Sequence, residues 1–413
     1  MASRNPLTNS GMLGFVYGTG FIFGLALCFD SVFMPEFKEY FHLDYTEQMY
    51  IMFSKNFPFL LFSLLIGYVI KKTGFKNCLA LGILLFSIGT FLLIPGLKNG
   101  DYRIILLAFF INGIAFNLEL VSWNPLLTAL GNPEESSSRL NLGNALGAVA
   151  QIIAPLLILL IIPIEVVTIA AKLPYIERLF QTLSIILLIF SIFAFSIKSP
   201  PIRFEVSDPA KTPGSQGIST IWKNSTVLFG FIAIFLVLGV ESSIFGLYRN
   251  FLEDPAIAGL SAHESQKMFT IYFSLFALGR LAAWAIQKKI NPAVHTAVSI
   301  IIVIALICIA IFFKGTLAVW SLTLTGFFIS TFFPSLYSIS IRGLGSQTAM
   351  ASGLLTMGML GAAILPVMQG KLADQFSLQH SFLIAIIPYL FALLFVLRPY
   401  WRKGSPNNKH NKP

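Results

Sequence analysis

Twelve apolar stretches of roughly twenty residues each set the terms on which this chain can fold. They run at about 12–34, 47–70, 77–97, 103–130, 140–164, 178–198, 225–248, 266–288, 294–313, 315–341, 350–370 and 380–398. At 1.5 Å per residue, about twenty residues cross a hydrocarbon layer about 30 Å thick. Within that layer only a helix satisfies its own backbone without closing into a barrel. Composition points the same way, since 56% of the 413 residues are hydrophobic and only 11% are charged. The pattern predicts an all-α integral membrane protein with twelve transmembrane helices. The first run is longer than the apolar core of a signal peptide and leads at once into the second, so it is expected to be retained.

The net charge of +10 would suit nucleic acid if it formed a patch, but the Lys and Arg residues sit singly in short connections. They concentrate on one side of the membrane, with Lys71, Lys72, Lys76, Arg139, Lys288, Lys289, Arg342 and the basic tail, and are sparser on the other. By the positive-inside rule both termini are expected in the cytoplasm, with the chain in a plasma membrane, the inner membrane of a bacterium. Cys28, Cys78 and Cys308 lie scattered in apolar runs without paired spacing, which argues against a disulfide framework or a metal site. The expected partners are the lipid bilayer and a small-molecule solute, with no nucleic acid, and the chain is read as a monomer.

The longest break between apolar runs carries Pro200-Pro201, Asp208-Pro209 and Thr212-Pro213-Gly214. It divides the chain into an N-terminal six-helix bundle (1–198), a cytoplasmic linker (199–224), a C-terminal six-helix bundle (225–402) and a polar tail (403–413). The two bundles share features in register. Phe29-Asp30-Ser31 in the first run matches Val240-Glu241-Ser242 in the seventh; Asn124-Pro125, Leu130-Gly131 and Pro155 match Phe333-Pro334, Leu344-Gly345 and Pro366. Two similar halves facing one another is the geometry of a carrier that exposes a central site alternately to each side.

Polar side chains inside spanning helices are costly and usually functional. Glu119 lies near the middle of the fourth run; Asp30 and Glu241 lie nearer the outer surface in the first and seventh. Acids whose solvation changes as a cavity opens and closes can take up and release protons, so these three are the expected proton-coupling residues. Lys55 sits at a depth close to that of Asp30 and is expected to pair with Asp30 or Glu119. On the fourth helix, 100° per residue places Asn112, Glu119 and Trp123 on one stripe and Asn117 and Asn124 on nearly the opposite one. A kink at Pro125 would draw Glu119 and Asn124 toward one pocket. Asn144 and Gln151 share a stripe of the fifth helix, beside a small-residue surface at Gly143 and Gly147. The solute is therefore expected among Asp30, Lys55, Asn117, Trp123, Asn124, Asn144, Gln151 and Glu241, with Trp123 stacking on a ring-shaped solute. Lys71, Lys72 and Arg280 are expected to serve gating, Arg280 by ion pairing near the cytoplasmic side. No cofactor or metal is implied; the coupling ion would be a proton or sodium. The five His fall in loops, turns and the tail, and no long extramembrane loop could house catalysis, so the chain is not read as an enzyme.

The motifs Phe29-Asp30-Ser31-Val32-Phe33-Met34-Pro35, Asn124-Pro125 to Leu130-Gly131, Arg139-Leu140-Asn141-Leu142, Leu238-Gly239-Val240-Glu241, Pro334-Ser335-Leu336-Tyr337-Ser338 and Pro366 to Ala373-Asp374 resemble the fucose:proton and glucose/galactose symporter family of the major facilitator superfamily. That resemblance implies proton-coupled symport of a hexose or deoxyhexose. It places Asp30 on the family's first-helix acid, linked to coupling and sugar binding, and Glu241 on an acid that many members carry. The chain departs from the pattern in three ways. Glu119 precedes Asn124 by five residues, with Leu120 at the place four before it. The family's fifth-helix Gln and Asn fall on Asn144 and Gly147. Lys55 stands where members have an apolar or aromatic residue, and Trp123 where they have a small one. A sodium-coupled sugar carrier, or a carrier importing or exporting a non-sugar metabolite, is the alternative.

Overall fold

The computed structural model describes residues 6–130, 136–163, 165–166, 168–197, 224–287, 289–342, 344, 351 and 354–403, so the 199–224 linker and the 403–413 tail fall almost wholly outside the described residues. The N-terminal half comprises α1 (Pro6–Val32), α2 (Met34–Phe41), α3 (Tyr45–Asn56), α4 (Pro58–Thr73), α5 (Phe75–Asn99), α6 (Tyr102–Ala129), α7 (Ser136–Ile161) and α8 (Ile169–Ser196). The C-terminal half comprises α9 (Ser225–Glu253), α10 (Ala262–Ile286), α11 (Pro292–Phe312), α12 (Gly315–Ile329), α13 (Phe332–Ile341), α14 (Gly361–Gln375), α15 (Leu378–Ser381) and α16 (Ile386–Lys403). Among the described residues ten helical segments are long and apolar enough to cross a membrane. The apolar stretch Gly11–Ala26 of α1 and the consecutive pair α3–α4 supply the other two predicted spans. Leu160, Ile189, Ile192 and Phe312 are exposed, as lipid-facing side chains are.

Prolines explain where the helices depart from the twelve uninterrupted runs. Pro58 has no N–H to offer the carbonyl four residues back, so the second span is interrupted at Phe57, which keeps helical dihedrals (φ −60°, ψ −35°). In the tenth span the interruption falls at Ser330–Thr331, and Pro334 leaves the Ser330 carbonyl without its helical partner. Pro35 opens the short helix α2, an element absent from the sequence reading, just after α1 ends. The sixth span also begins earlier than expected, at Ile169, and absorbs Pro174.

Neighbouring helices repeat between the halves. In the first half α1 packs on α7, α5 on α6 and α8, and α3–α4 on α6; in the second, α9 packs on α14, α11 on α12 and α16, and α10 on α12. Equivalent close approaches serve both halves. A Cβ on Gly24 would lie 2.5 Å from the Gly147 carbonyl oxygen, and one on Gly361 would collide with the carbonyl of Phe235. The two most extensive contacts between the halves, α3 with α14 and α7 with α10, are also related by the repeat, and α2 adds a smaller one with α9.

The joining contacts run from mid-depth to the face that carries the α2–α3 turn. Asn56 Nδ2 donates to the Ala362 carbonyl at 3.2 Å, Gln48 Nε2 to Asn250 Oδ1 at 2.8 Å, and Gln266 Nε2 to the Pro155 carbonyl at 3.4 Å. Met49 and Met52 lie against Gly246. On the opposite face, where α1 begins and α16 ends, the described hydrogen bonds run within a half. Lys76 Nζ holds the carbonyls of Phe195 and Ile197, and Arg398 holds Ser225. The molecule is shut at the face of the α2–α3 turn.

Candidate functional site

The fourth spanning helix, α6, carries the central acid. Glu119 is buried and, among the described residues, makes no hydrogen bond or ion pair. A carboxylate held this way in low dielectric is sensitive to anything that approaches it, because desolvation leaves its charge uncompensated. The neighbouring polar residues of α6 turn elsewhere. Asn112 packs its amide against Gly89 on α5, and Asn117 donates from Nδ2 to the Pro58 carbonyl at 3.4 Å, bracing the interrupted second span. Asn117, expected to touch solute, is almost wholly buried in that helix contact.

Trp123 requires a correction. Its indole Nε1 donates to the Val16 carbonyl at 2.7 Å, and its ring is wedged between Gly20 of α1 and Gly143 of α7. With 6% of its surface accessible, it offers no ring face for a solute to stack on. The glycines at 20 and 143 are what admit so large a side chain between two spanning helices. Gly143 was legible as a packing residue; what it packs against was not.

Lys55, at the end of α3, is buried with Nζ 5.8 Å from the Phe116 ring centroid. It forms no ion pair with Glu119, contrary to one of its two expected pairings. The other involves Asp30, whose side chain lies outside the described residues, as does that of Lys71. Asn124 and Asn144 are exposed, Gln151 is half-buried and Lys72 is exposed.

In the second half Glu241 on α9 interacts electrostatically with Arg280 on α10 and with the buried phenols Tyr272 and Tyr389. Neither phenol hydroxyl makes a hydrogen bond of good geometry, although Thr325 lies beside that of Tyr272. Arg280, expected to serve gating, keeps to its own half in this conformation: it stacks on Phe276 at 4.7 Å and its Nε reaches the Ser330 carbonyl at 3.5 Å. That carbonyl is the one Pro334 leaves without a helical donor, so Arg280 repairs the interrupted tenth span within its own half.

Sequence reasoning missed the groups that close the shut face. Asp374, near the end of α14, reaches the first turn of α3 across the two halves. Its Oδ1 accepts from the Tyr45 N–H at 2.7 Å; its Oδ2 accepts from the Thr46 N–H at 2.7 Å and the Thr46 hydroxyl at 2.6 Å. Asp44 caps the Glu47 N–H, and Glu47 answers to the Asp44 N–H. Asp374 thus supplies the acceptors that the local capping box leaves out. Beside it, Glu36 on α2 meets Arg249 on α9 through two bonds, 2.8 Å to Nη1 and 3.1 Å to Nη2. Burial alone would push the Glu36 carboxyl up, but Arg249 and Lys172 together hold it below the usual carboxylate range. The signal available in the sequence is a cation, Arg249, four residues before Glu253 at the end of an apolar helix.

A sequence model of the Major Facilitator Superfamily matches residues 16–358. This chain belongs to the major facilitator superfamily. The carrier is 29% identical over 379 residues to a glucose/galactose transporter of Brucella abortus biovar 1 (strain 9-941), covering 91% of each chain. It is 23% identical over 407 residues to the L-fucose-proton symporter of Escherichia coli (strain K12), covering 94% of this chain and 92% of that one. Among solved structures it is similar to the transporter FucP in the outward conformation, with TM-score 0.67, 20% identity and coverage of 93% and 97%. It is also similar to a bacterial homologue of the human lysosomal transporter Spinster in an inward-facing and occupied conformation, with TM-score 0.76, 14% identity and coverage of 97% and 98%. The fold is that of a membrane transporter, not of an enzyme.

Proposed function

We infer that this facilitator is a proton-coupled symporter that imports a hexose or deoxyhexose by alternating access. The observation that carries the coupling is Glu119, a carboxylate buried at mid-membrane with no polar partner among the described residues. Such a group binds and releases a proton according to whether solute and water reach it, which gives the two protonation states different affinities for the solute. The names of the relatives, glucose/galactose transporter and L-fucose-proton symporter, support the solute class and the ion. The solute would sit between the halves, with Asp30, Lys55, Asn124, Asn144 and Gln151 on one side and Glu241 on the other. Two six-helix bundles, 1–198 and 225–402, would rock about it with the 199–224 linker between them. No metal or other cofactor enters this mechanism, and the monomer is the working unit.

The distribution of Lys and Arg supports a topology with both termini in the cytoplasm, in the inner membrane of a bacterium. The shut face is then the outer one, and the conformation is inward-facing.

The test is uptake of radiolabelled fucose, glucose and galactose into proteoliposomes under an imposed proton gradient, interior alkaline, with and without sodium. Gradient-driven accumulation lost in Glu119→Gln, with exchange retained, is the expected result. Accumulation that follows sodium instead would replace the coupling ion. No uptake of any of the three sugars by folded wild type would sink the sugar assignment and direct attention to an anionic metabolite drawn by Lys55.

A further inference from the structure

The Glu36–Arg249 contact is part of a larger cluster in which each of these two charges has a second partner in its own half. Glu36 belongs to the N-terminal half, and its Oε1 also lies 3.4 Å from Lys172 Nζ on α8 of that half. Arg249 belongs to the C-terminal half, and its Nη2 also lies 2.6 Å from Glu253 Oε1 one turn along α9. Ser265 on α10 secures that second pair by donating to Glu253 and accepting from Arg249 Nε at 3.3 Å. Arg249 further donates to the Val32 carbonyl across the halves. Glu36, Lys172 and Arg249 are all buried, at 6%, 8% and 2% accessibility.

Buried ions parted without replacement are among the costliest arrangements a protein can adopt. A carrier whose halves separate at this face on every cycle would meet that cost repeatedly if Glu36 and Arg249 had only each other. We propose that the cluster is a partner-exchange latch. Glu36 to Arg249 is the bond that shuts the outer face, and Lys172 and Glu253 are holding partners that keep each charge compensated when the bond opens. Open, the N-terminal half carries Glu36 with Lys172 and the C-terminal half carries Arg249 with Glu253, each neutral. The 3.4 Å Lys172 contact is long because Glu36 is shared; it shortens when Arg249 departs.

Opposite signs follow for substitutions in one cluster. Removing the latch, by Arg249→Gln or Glu36→Gln, favours the outward-open state. Removing a holding partner, by Lys172→Met or Glu253→Gln, favours the shut state, because it strips compensation from the open form and relieves like-charge repulsion in the closed one. A residue that merely stabilised the fold would shift neither population.

The proposal rests on alternating access but on neither the sugar nor the proton. Nitroxide labels on the exposed Arg103 and Lys314 positions, one in each half at the shut face, report opening by double electron–electron resonance on the full chain in nanodiscs without solute. Latch variants are expected to raise the ratio of long to short distances by about tenfold or more, and holding-partner variants to lower it about fivefold. Glu36→Gln serves where Arg249→Gln fails to fold, and each variant is melted in parallel. Shifts of all four variants in one direction, or changes in melting without a change in the ratio, would overturn partner exchange. A single distance in wild type and every variant would overturn it together with alternating access, whereas absent sugar uptake would leave it standing.

Discussion

Replacing Asp374 by Ala should open the shut face without touching the interior of either half. The carboxylate accepts two main-chain N–H bonds at 2.7 Å and one hydroxyl bond at 2.6 Å from the first turn of α3, and it sits on the other half of the molecule. Asp374 is exposed, so water takes its place when the halves part, and each main-chain bond contributes a net of about 1 kcal/mol rather than its full strength. A capping loss of about 1 kcal/mol per substitution is the usual scale for such groups. Two bonds give about 2 kcal/mol, and because they exist only in the shut state the whole amount appears in the opening equilibrium. At about 1.4 kcal/mol per factor of ten, the open population rises roughly 30-fold. Asp374→Asn keeps one acceptor oxygen, and about half the effect, a factor of about 5, should remain. The assay is the rate at which a membrane-impermeant maleimide labels a cysteine at Met52, which packs between the halves beside Gly246, in a chain otherwise free of cysteine. Labelling of Asp374→Ala within twofold of wild type, with unchanged melting, would show that this contact does not hold the halves together.

Glu119→Gln should abolish gradient-driven accumulation while leaving solute exchange near wild type, measured in the proteoliposome assay; loss of both would mean that Glu119 binds solute or supports the fold. Trp123→Ala leaves a large cavity among α1, α6 and α7 and should destabilise the protein by about 3–5 kcal/mol in thermal unfolding, while Trp123→Phe keeps the KM for solute within about twofold. Gly361→Ala drives a methyl group into the Phe235 carbonyl and should yield no monodisperse protein on size-exclusion chromatography. The latch should be indifferent to pH across the physiological range. The folded Glu36 carboxyl is held below its unfolded value of 4.5 by Arg249 and Lys172, with Glu253 also facing Arg249. Its contribution to closure is therefore complete above about 4.5 and is lost only as pH falls through the lower folded value. In Glu119→Gln protein, the distance ratio should stay constant from pH 8 to about 5; a fall across that window would locate a titrating group elsewhere.

The architecture was legible because hydrocarbon imposes one solution on long apolar runs, whereas the breaks at Pro58 and Pro334 were not read, since apolar length alone does not show where a proline interrupts a span. The direction in which polar side chains point was less legible. A 100° step per residue correctly separates Trp123 from Asn117, but it cannot say whether a stripe meets solute, lipid or another helix; Trp123 turned out to meet two glycines. Arg280 was legible only in part. A cation in an apolar helix suggests a countercharge, and Glu241 supplies one, but its other partner, a carbonyl made available by Pro334 on another helix, leaves no mark on its own helix. The Glu36 cluster draws its charges from α2, α8 and α9, far apart in sequence, and loop charges read one at a time say only which side of the membrane they favour.

The bonds made by Asp374 also bear on how such a carrier diverges. Two of its three partners are main-chain N–H groups, which every residue except proline provides. Positions 45 and 46 are thus at liberty to change side chain while the contact persists, and only the carboxylate is constrained. Comparison of related sequences for compensating pairs would pass over this joint between the halves, because one of its two sides is written in the backbone and leaves no trace in amino-acid identity.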